Sequence, residues 1–382
     1  MEINLEKTVL IMRQNRRISS VVKVGSVYVG GKHPISIQSM TNTDTRDAKA
    51  TIAQIRELEE VGCEIIRIAI PDKNAANNIK KIVQSSSIPI IADIHFDHKL
   101  ALVAISAGIH CIRINPGNIG SKDNVKAVAE AAGEAGIPIR IGANSGSLSN
   151  NFKISKKNDS SKTKPEILAE ALINSALEQC NLLESYGFKD IKVSLKASDV
   201  LTTVTAYQKF AKNTNYPLHL GVTEAGTPFH STVKSSIGIG SLLLDGIGDT
   251  IRVSVTGNPI EEIKIAKAIL ENTGHILPCP EIISCPTCGR TEVNLLDIVT
   301  KVENEIEAIK QNGLKFRPSK IAIMGCAVNG PGEAKDADIG IAGAGKGNFI
   351  IFRNGKTIGA FSEKEAFTHF RKEIEKLLIT PN

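Results

Sequence analysis

Between residues 35 and 255 the chain alternates short aliphatic runs with longer segments whose apolar residues recur every three or four positions. A short unbroken aliphatic run fits a strand buried on both faces, and the three-to-four spacing fits a helix that buries one stripe. Eight strands are predicted: Ile35 to Thr41, Ile65 to Ile70, Pro89 to His95, Cys111 to Asn115, Pro138 to Ala143, Ile191 to Lys196, Leu218 to Thr223 and Thr250 to Val255. Helical segments such as Ala48 to Val61, Asn74 to Gln84, Lys122 to Ala135, Pro165 to Tyr186 and Pro259 to Glu271 run between them, and Gly62, Gly136 and Gly187 stand where several of them stop. Eight βα units over about 250 residues have the period and size of a TIM (β/α)8 barrel. A doubly wound open sheet fits less well, because no Gly-rich dinucleotide turn follows the first strand. Ahead of the barrel, Val21 to Gly31 alternates and ends in two glycines, which reads as a hairpin; Asn150 to Lys164 is polar and aperiodic, which reads as a surface loop.

The pattern changes after Glu271, where His275-Ile-Leu-Pro-Cys-Pro280 reads as a linker. Residues 1–275 are therefore assigned to the barrel and 276–382 to a second, smaller α/β domain. That domain is expected to hold a helix from Leu295 to Gln311, strands at Lys320 to Met324 and around Asp338 to Ala342, a hairpin through Asn354-Gly355 and a last helix from Glu363 to Leu378. Gly343-Ala-Gly-Lys-Gly347 lacks the spacing and the Ser/Thr of a Walker A loop and is taken as a turn.

The barrel strands share an unusual feature. Ile66-Arg67-Ile68, Ile112-Arg113-Ile114, Ile139-Arg140-Ile141 and Ile251-Arg252-Val253 each set an arginine between aliphatics, and Ile191-Lys192-Val193 repeats the pattern with lysine. Alternation along a strand sends the aliphatics to the helices and the cations into the barrel. The next inward positions, Ala69, Asn115, Gly142, Ser194 and Ser254, are small or polar and leave room above that layer. Unpaired buried charges cost several kcal/mol each, so the set predicts a multiply charged anionic ligand, and guanidinium forks favour phosphate oxygens. The bland alternative pairs these arginines with barrel carboxylates such as Asp93. Polar groups follow at the strand ends where barrel enzymes keep their chemistry: Gln38, Thr41, Asn42, Arg46, Asp93, His95, Asn115, Asn118, Asn144, Ser147, Lys196, His219 and Glu224. On a regular strand His219 and Glu224 differ in parity, and Glu224, at the strand end, is the one chosen.

Composition narrows the partners. With 46 Lys+Arg against 40 Asp+Glu the 382-residue chain carries only +6, and its basic residues form no block, so a small anion is favoured over nucleic acid. No run approaches the roughly 20 apolar residues of a membrane span. Seven cysteines without a secretory leader point to a reducing, cytoplasmic setting. Of these, Cys63, Cys111 and Cys180 lie in aliphatic or helical patterns and read as buried hydrophobes, and Cys279 is left out.

The remaining three carry chemistry. Cys285 and Cys288 form a CxxC pair, and Cys326 follows an aliphatic run and precedes the turn Asn329-Gly-Pro-Gly332, which ends at Glu333. Three thiolates with a nearby carboxylate suit a thiophilic centre, either iron-sulfur or zinc, and unbound thiols stay open as well. A structural zinc ribbon would close its tetrahedron with a second pair, and none follows Cys326.

Together these stretches resemble a known family. Gln38-Ser-Met-Thr-Asn-Thr-Asp-Thr45, Ala92-Asp-Ile-His-Phe96, Arg113-Ile-Asn-Pro-Gly-Asn118, Arg140-Ile-Gly-Ala-Asn-Ser-Gly-Ser-Leu148 and His219-Leu-Gly-Val-Thr-Glu-Ala-Gly226 in the barrel look like the 4-hydroxy-3-methylbut-2-en-1-yl diphosphate synthases. So do Ser284-Cys-Pro-Thr-Cys-Gly-Arg290 and Met324-Gly-Cys-Ala-Val-Asn-Gly-Pro-Gly-Glu333, and the absence of a long insertion resembles the two-domain bacterial form. The resemblance implies reductive ring opening and dehydroxylation of 2-C-methyl-D-erythritol 2,4-cyclodiphosphate in non-mevalonate isoprenoid synthesis. It implies a 4Fe-4S cluster on Cys285, Cys288, Cys326 and Glu333, electrons from flavodoxin or ferredoxin, and a head-to-tail homodimer. It also implies that Arg46, Arg67, Arg113, Asn115, Arg140, Asn144, Lys196, Arg252, Ser254 and Asn329 bind substrate, with Asp93, His95 and Glu224 positioning it or delivering a proton beside Glu333. Two other classes compete: a barrel lyase or aldolase with a structural zinc domain and Lys196 as Schiff-base lysine, and a non-catalytic metal-binding module fused to a barrel.

Overall fold

The computed structural model describes residues 15–115, 118–144, 161–277, 279–326, 334, 336–345 and 347–379. It divides into two compact units, one within Glu6–Ile276 and one within Leu277–Asn382.

The larger unit is the expected barrel. Its strands are Ser36–Met40 (β3), Ile65–Ala69 (β4), Ile90–Asp93 (β5), Cys111–Ile114 (β6), Ile139–Asn144 (β7), Ile191–Lys196 (β8), His219–Leu220 (β9) and Thr250–Ile251 (β10), counted after the hairpin strands Val21–Val24 (β1) and Val27–Gly30 (β2). Seven parallel ladders join the eight strands in the order β8-β7-β6-β5-β4-β3-β10-β9, and a parallel bridge from Val193 to Leu218 closes the ring. The last two strands hold only two ladder residues each, fewer than their aliphatic runs suggest. Tyr207 supports that junction from the helix Val200–Asn213: its hydroxyl donates to the His219 carbonyl at 2.5 Å and accepts from the Leu195 amide at 3.0 Å. The segment 74–84 forms two short helices, Lys73–Asn77 and Ile79–Gln84, because Asn78 turns out to donate to the carbonyls of Thr45 and Arg46.

Alternation along the strands decides the core. Ile66, Ile68, Ile112, Ile114, Ile139, Ile141, Ile191, Val193, Leu218, Leu220, Ile251 and Val253 face outward and pack in one cluster with the helices. Inward residues are therefore the intervening ones, the basic set included. At the N-terminal end of the strands the β1–β2 hairpin inserts Val22, Val24 and Val29 against Ile65, Ile91 and Cys111, a separate apolar cluster that seals the lower opening.

In the smaller unit five strands run in order: Glu281–Ser284 (β11), Lys320–Met324 (β12), Ile339–Gly343 (β13), Asn348–Arg353 (β14) and Lys356–Ser362 (β15). The first three are parallel and the last two antiparallel. Helices Leu295–Gln311 and Glu363–Glu375 cover one face through Ile298, Val302, Ile306, Phe370 and Ile374. The first strand begins directly after the expected linker 275–280 and was not drawn from the sequence; two adjacent isoleucines are too short a run to announce it.

Candidate functional site

The inward residues at the C-terminal ends of the barrel strands make a pocket whose walls are cationic. Asp93 sits between Arg67 and Arg113 because β5 pairs with β4 on one side and β6 on the other. Its carboxylate lies 3.3 Å from Arg113 Nη1, 3.7 Å from Arg67 Nε and 3.4 Å from His95 Nε2. Burial pulls the Asp93 carboxyl upward, yet Arg67, the His95 hydrogen bond and Arg113 carry it well below the usual range. His95 Nε2 also approaches Arg113 Nη1 at 3.2 Å, and its side chain is half exposed toward the mouth. Arg67 turns Nε and Nη2 to the Met40 sulfur at 3.1 and 2.9 Å.

On the other side Arg252 is held by Glu262 of the helix Pro259–Asn272, at 3.3 and 3.2 Å. Glu262 also accepts from Ser39 at 2.7 Å and from the Val255 amide at 3.3 Å. Among the described residues Arg140, Lys192 and Lys196 have no such carboxylate. Arg140 and Lys192 are buried, and Arg140 Nε, Arg140 Nη1 and Lys192 Nζ find no hydrogen-bond partner among the described residues. Burial, helped by Arg140, Arg252 and Arg67, pushes the Lys196 ammonium well below the normal lysine range. Two glycines give these cations room: a Cβ on Gly142 would stand 2.9 Å from Arg113 Nε, and one on Gly221 2.5 Å from Lys196 Nζ. Among the described residues six inward cations, Arg67, Arg113, Arg140, Lys192, Lys196 and Arg252, thus meet two carboxylates, Asp93 and Glu262. Such a surplus in a closed wall is a site for a polyanion.

The other expected site residues distribute unevenly. Asn115 is buried and Asn144 and Ser254 are half-buried at the strand ends; the Ser254 carbonyl accepts from Ser231 at 2.7 Å. Arg46 lies on the exposed rim, paired with Asp44 at 3.0 Å and Asp72 at 2.7 Å rather than turned into the pocket. Glu224 is exposed, on a loop, at φ +52°, a left-handed conformation unusual for glutamate. The ladder ends at Leu220, so strand parity does not extend to Glu224; His219, set aside on that ground, is fully buried among the inward residues. Gly142 is one of the small inward positions expected to leave room, whereas Glu262, Met40 and Gly221 were not anticipated as parts of the site. Only the glycines carried a sequence signal, standing at inward positions next to bulky cations.

In the smaller unit Cys285 and Cys326 come from the ends of neighbouring parallel strands, since Ser284 pairs with Ile323. The Gly325 amide donates to Cys285 Sγ at 3.1 Å. Cys288 follows on a turn, where its amide donates to Thr291 Oγ1 at 3.0 Å, and a backbone hydrogen bond from Arg290 lowers its thiol pKa. Cys326 is buried, Cys285 half-buried and Cys288 exposed. Cys279 instead turns its thiol to the Phe316 carbonyl at 2.9 Å. Asn329 and Glu333 lie outside the described residues, and among the described residues no three Cys, His, Asp or Glu side chains are placed to hold one metal ion.

Comparison with known proteins identifies the chain's kin. The GcpE TIM-barrel domain matches residues 19–267, and the GcpE protein C-terminal domain matches residues 281–376. The 4-hydroxy-3-methylbut-2-en-1-yl diphosphate synthase (flavodoxin) of Clostridium perfringens is 53% identical over 363 residues, covering 95% of this chain and 100% of that one. The synthase of the same name from Fusobacterium nucleatum is 53% identical over 365 residues, 96% of this chain and 98% of that one, and that of Clostridium acetobutylicum is 51% identical over 356 residues, 93% and 98%. A barrel with a surplus of inward cations, joined to a three-cysteine unit, and end-to-end identity at this level place the chain in the GcpE family, that of the 4-hydroxy-3-methylbut-2-en-1-yl diphosphate synthases.

Proposed function

We propose that this protein converts 2-C-methyl-D-erythritol 2,4-cyclodiphosphate to 4-hydroxy-3-methylbut-2-en-1-yl diphosphate, taking up two electrons and two protons as the ring C–O bond to phosphate opens and a hydroxyl leaves as water. Flavodoxin, named in the relatives, is the electron donor. The observation that carries the reading is the unmatched charge in the barrel: a cyclic diphosphate supplies anionic oxygens to Arg140 and Lys196, which pair with no carboxylate among the described residues, and adds to the single carboxylates that Arg113 and Arg252 hold. Asn115, Asn144 and Ser254 add neutral hydrogen bonds around the sugar-derived carbons.

The chain's own groups divide the work. Asp93 fixes Arg67 and Arg113, so the wall is built before substrate arrives and little reorganisation is needed on binding. His95, within reach of Asp93 and Arg113 and open to the mouth, is the candidate to hold a proton at Nε2 for the leaving hydroxyl. Glu224, kept in a strained backbone at the rim, is the second candidate. Cys285, Cys288 and Cys326, with Glu333, are the residues that would hold a 4Fe-4S cluster, and their soft donor set suits it, with the Gly325 amide already directed at one sulfur. When bound, that cluster supplies single electrons and an iron open to an oxygen ligand. Family membership supports a head-to-tail homodimer as the assembly. No helix among the described residues is long and apolar enough to cross a membrane, which fits a substrate and a donor that are both water-soluble.

The test is anaerobic purification followed by iron, sulfide and zinc analysis. The reading expects a brown protein with iron and inorganic sulfide, turning over the cyclic diphosphate with reduced flavodoxin. In Cys326→Ser both iron and turnover should fall together while the barrel's melting transition stays in place. Colourless protein containing zinc and no sulfide would overturn the proposal in favour of the zinc-domain alternative.

A further inference from the structure

Beneath the mouth the barrel interior holds polar groups of which the reaction uses only Arg140. The strand registers place Gln38, Ile91, Arg140 and His219, from alternate strands, in one layer, and Ile65, Cys111, Lys192 and Thr250 in the layer below. One side of these layers is apolar and packs on the hairpin through Ile65, Ile91 and Cys111. The other side is polar and unsatisfied. Lys192 Nζ, both ring nitrogens of His219, both amide atoms of Gln38, and Nε and Nη1 of Arg140 are buried without a hydrogen-bond partner. Gln38, Lys192 and His219 are completely buried, and Arg140 is 2% exposed.

So many orphaned groups in one place are not a random packing fault, since each costs about 1–3 kcal/mol when left alone. Donors dominate: an ammonium, two guanidinium N–H groups, an amide NH2 and one imidazole N–H. Water would satisfy the donors but would leave two adjacent cations, paired across the β7–β8 ladder, unneutralised. The carboxylates of the barrel are committed elsewhere, Asp93 to Arg67 and Arg113 and Glu262 to Arg252 higher up, and Asp249 to Arg16 and Ser19 at the lower end. Burial, opposed by Cys111 and helped by Arg140, pushes the Lys192 ammonium down to about 8, a measure of how poorly the protein itself compensates it.

We propose that these groups form a closed site for one small monovalent inorganic anion of the halide class, seated beneath the mouth and distinct from the ligand the mouth takes. Complete burial excludes a phosphate ester, and the donor excess excludes a cation. The anion screens Lys192 from Arg140 and so holds the Arg140 guanidinium in a fixed orientation. The site does not depend on which reaction the mouth supports.

The probe is bromide. Crystals of the anaerobically prepared full-length protein grown in sodium isethionate and soaked in sodium bromide should show one buried anomalous peak in contact with Lys192 Nζ and Arg140. In solution, bromide at tenfold its dissociation constant should raise the melting temperature by about 3–5 °C over isethionate at equal ionic strength. Lys192→Met should abolish both the peak and the shift. A bromide peak confined to the mouth, floor density without anomalous signal, or an equal shift in Lys192→Met would each overturn the proposal. If Lys192→Met does not fold, the anomalous map of the unsubstituted protein decides by itself.

Discussion

Two groups of buried arginines in the same barrel are treated in opposite ways. At the N-terminal end of the strands Arg16 and Arg17 converge on Asp249, and other donors of the pair reach five backbone carbonyls, those of His33, Gly248, Ala211, Thr214 and Tyr216, while Arg17 Nη1 makes no hydrogen bond and lies 3.9 Å from Asp249. Asp249 in turn accepts from Ser19 and the Leu218 amide. Inside the barrel Arg140 and Lys192 pair with no carboxylate among the described residues, and Arg67 and Arg113 share one. A cation whose partners are supplied by the fold holds the fold together; one left with idle donors is held in readiness for something that arrives later.

The contrast can be broken by exchanging the effects. Arg140→Met should cost about 10³-fold in kcat/KM, on the order of 4 kcal/mol, while the melting temperature stays level or rises; a large loss of stability instead would move Arg140 into the structural group. Asp249→Asn should do the reverse. It strands the buried Arg16 and half-buried Arg17 guanidinium groups and should destabilise the barrel by about 3–5 kcal/mol in denaturant titrations, with turnover per folded molecule little changed. A smaller effect concerns pH. Burial depresses the Lys192 ammonium from 10.5 to about 8, so the penalty is present in full below pH 8. Between those two values the unfolded chain binds the extra proton, and stability rises with pH. In halide-free buffer the unsubstituted protein should therefore gain on Lys192→Met from pH 8 to 10.5, by at most on the order of 3 kcal/mol. The smallest expected effect is at Gly142, where Gly142→Ala crowds Arg113 Nε and should raise KM about three- to tenfold with kcat less affected.

Much of this was readable from the chain. The Ile-Arg-Ile repeats established both the strands and the inward direction of their cations, because period-two alternation leaves no other arrangement once the aliphatics must face the helices. The ends of β9 and β10 were not readable: after Leu220 and Ile251 the aliphatic runs continue but the ladder does not, and a strand's hydrogen bonds depend on its neighbours as well as its own residues. Glu262 was hidden for a related reason. It lies in the first turn of a helix, where an acidic residue ordinarily serves the helix itself, and only the three-dimensional fold brings it to Arg252 and Ser39. His219 was misjudged because parity was extended past the point where the strand ends.

The valine-lined hairpin beneath the barrel has a kinetic consequence. With the underside corked, arriving and departing molecules must use the same doorway, so a spent molecule has to step out before a fresh one can be admitted. Product should then inhibit by simple competition with the cyclic diphosphate, and turnover can never outrun the rate at which that single threshold clears.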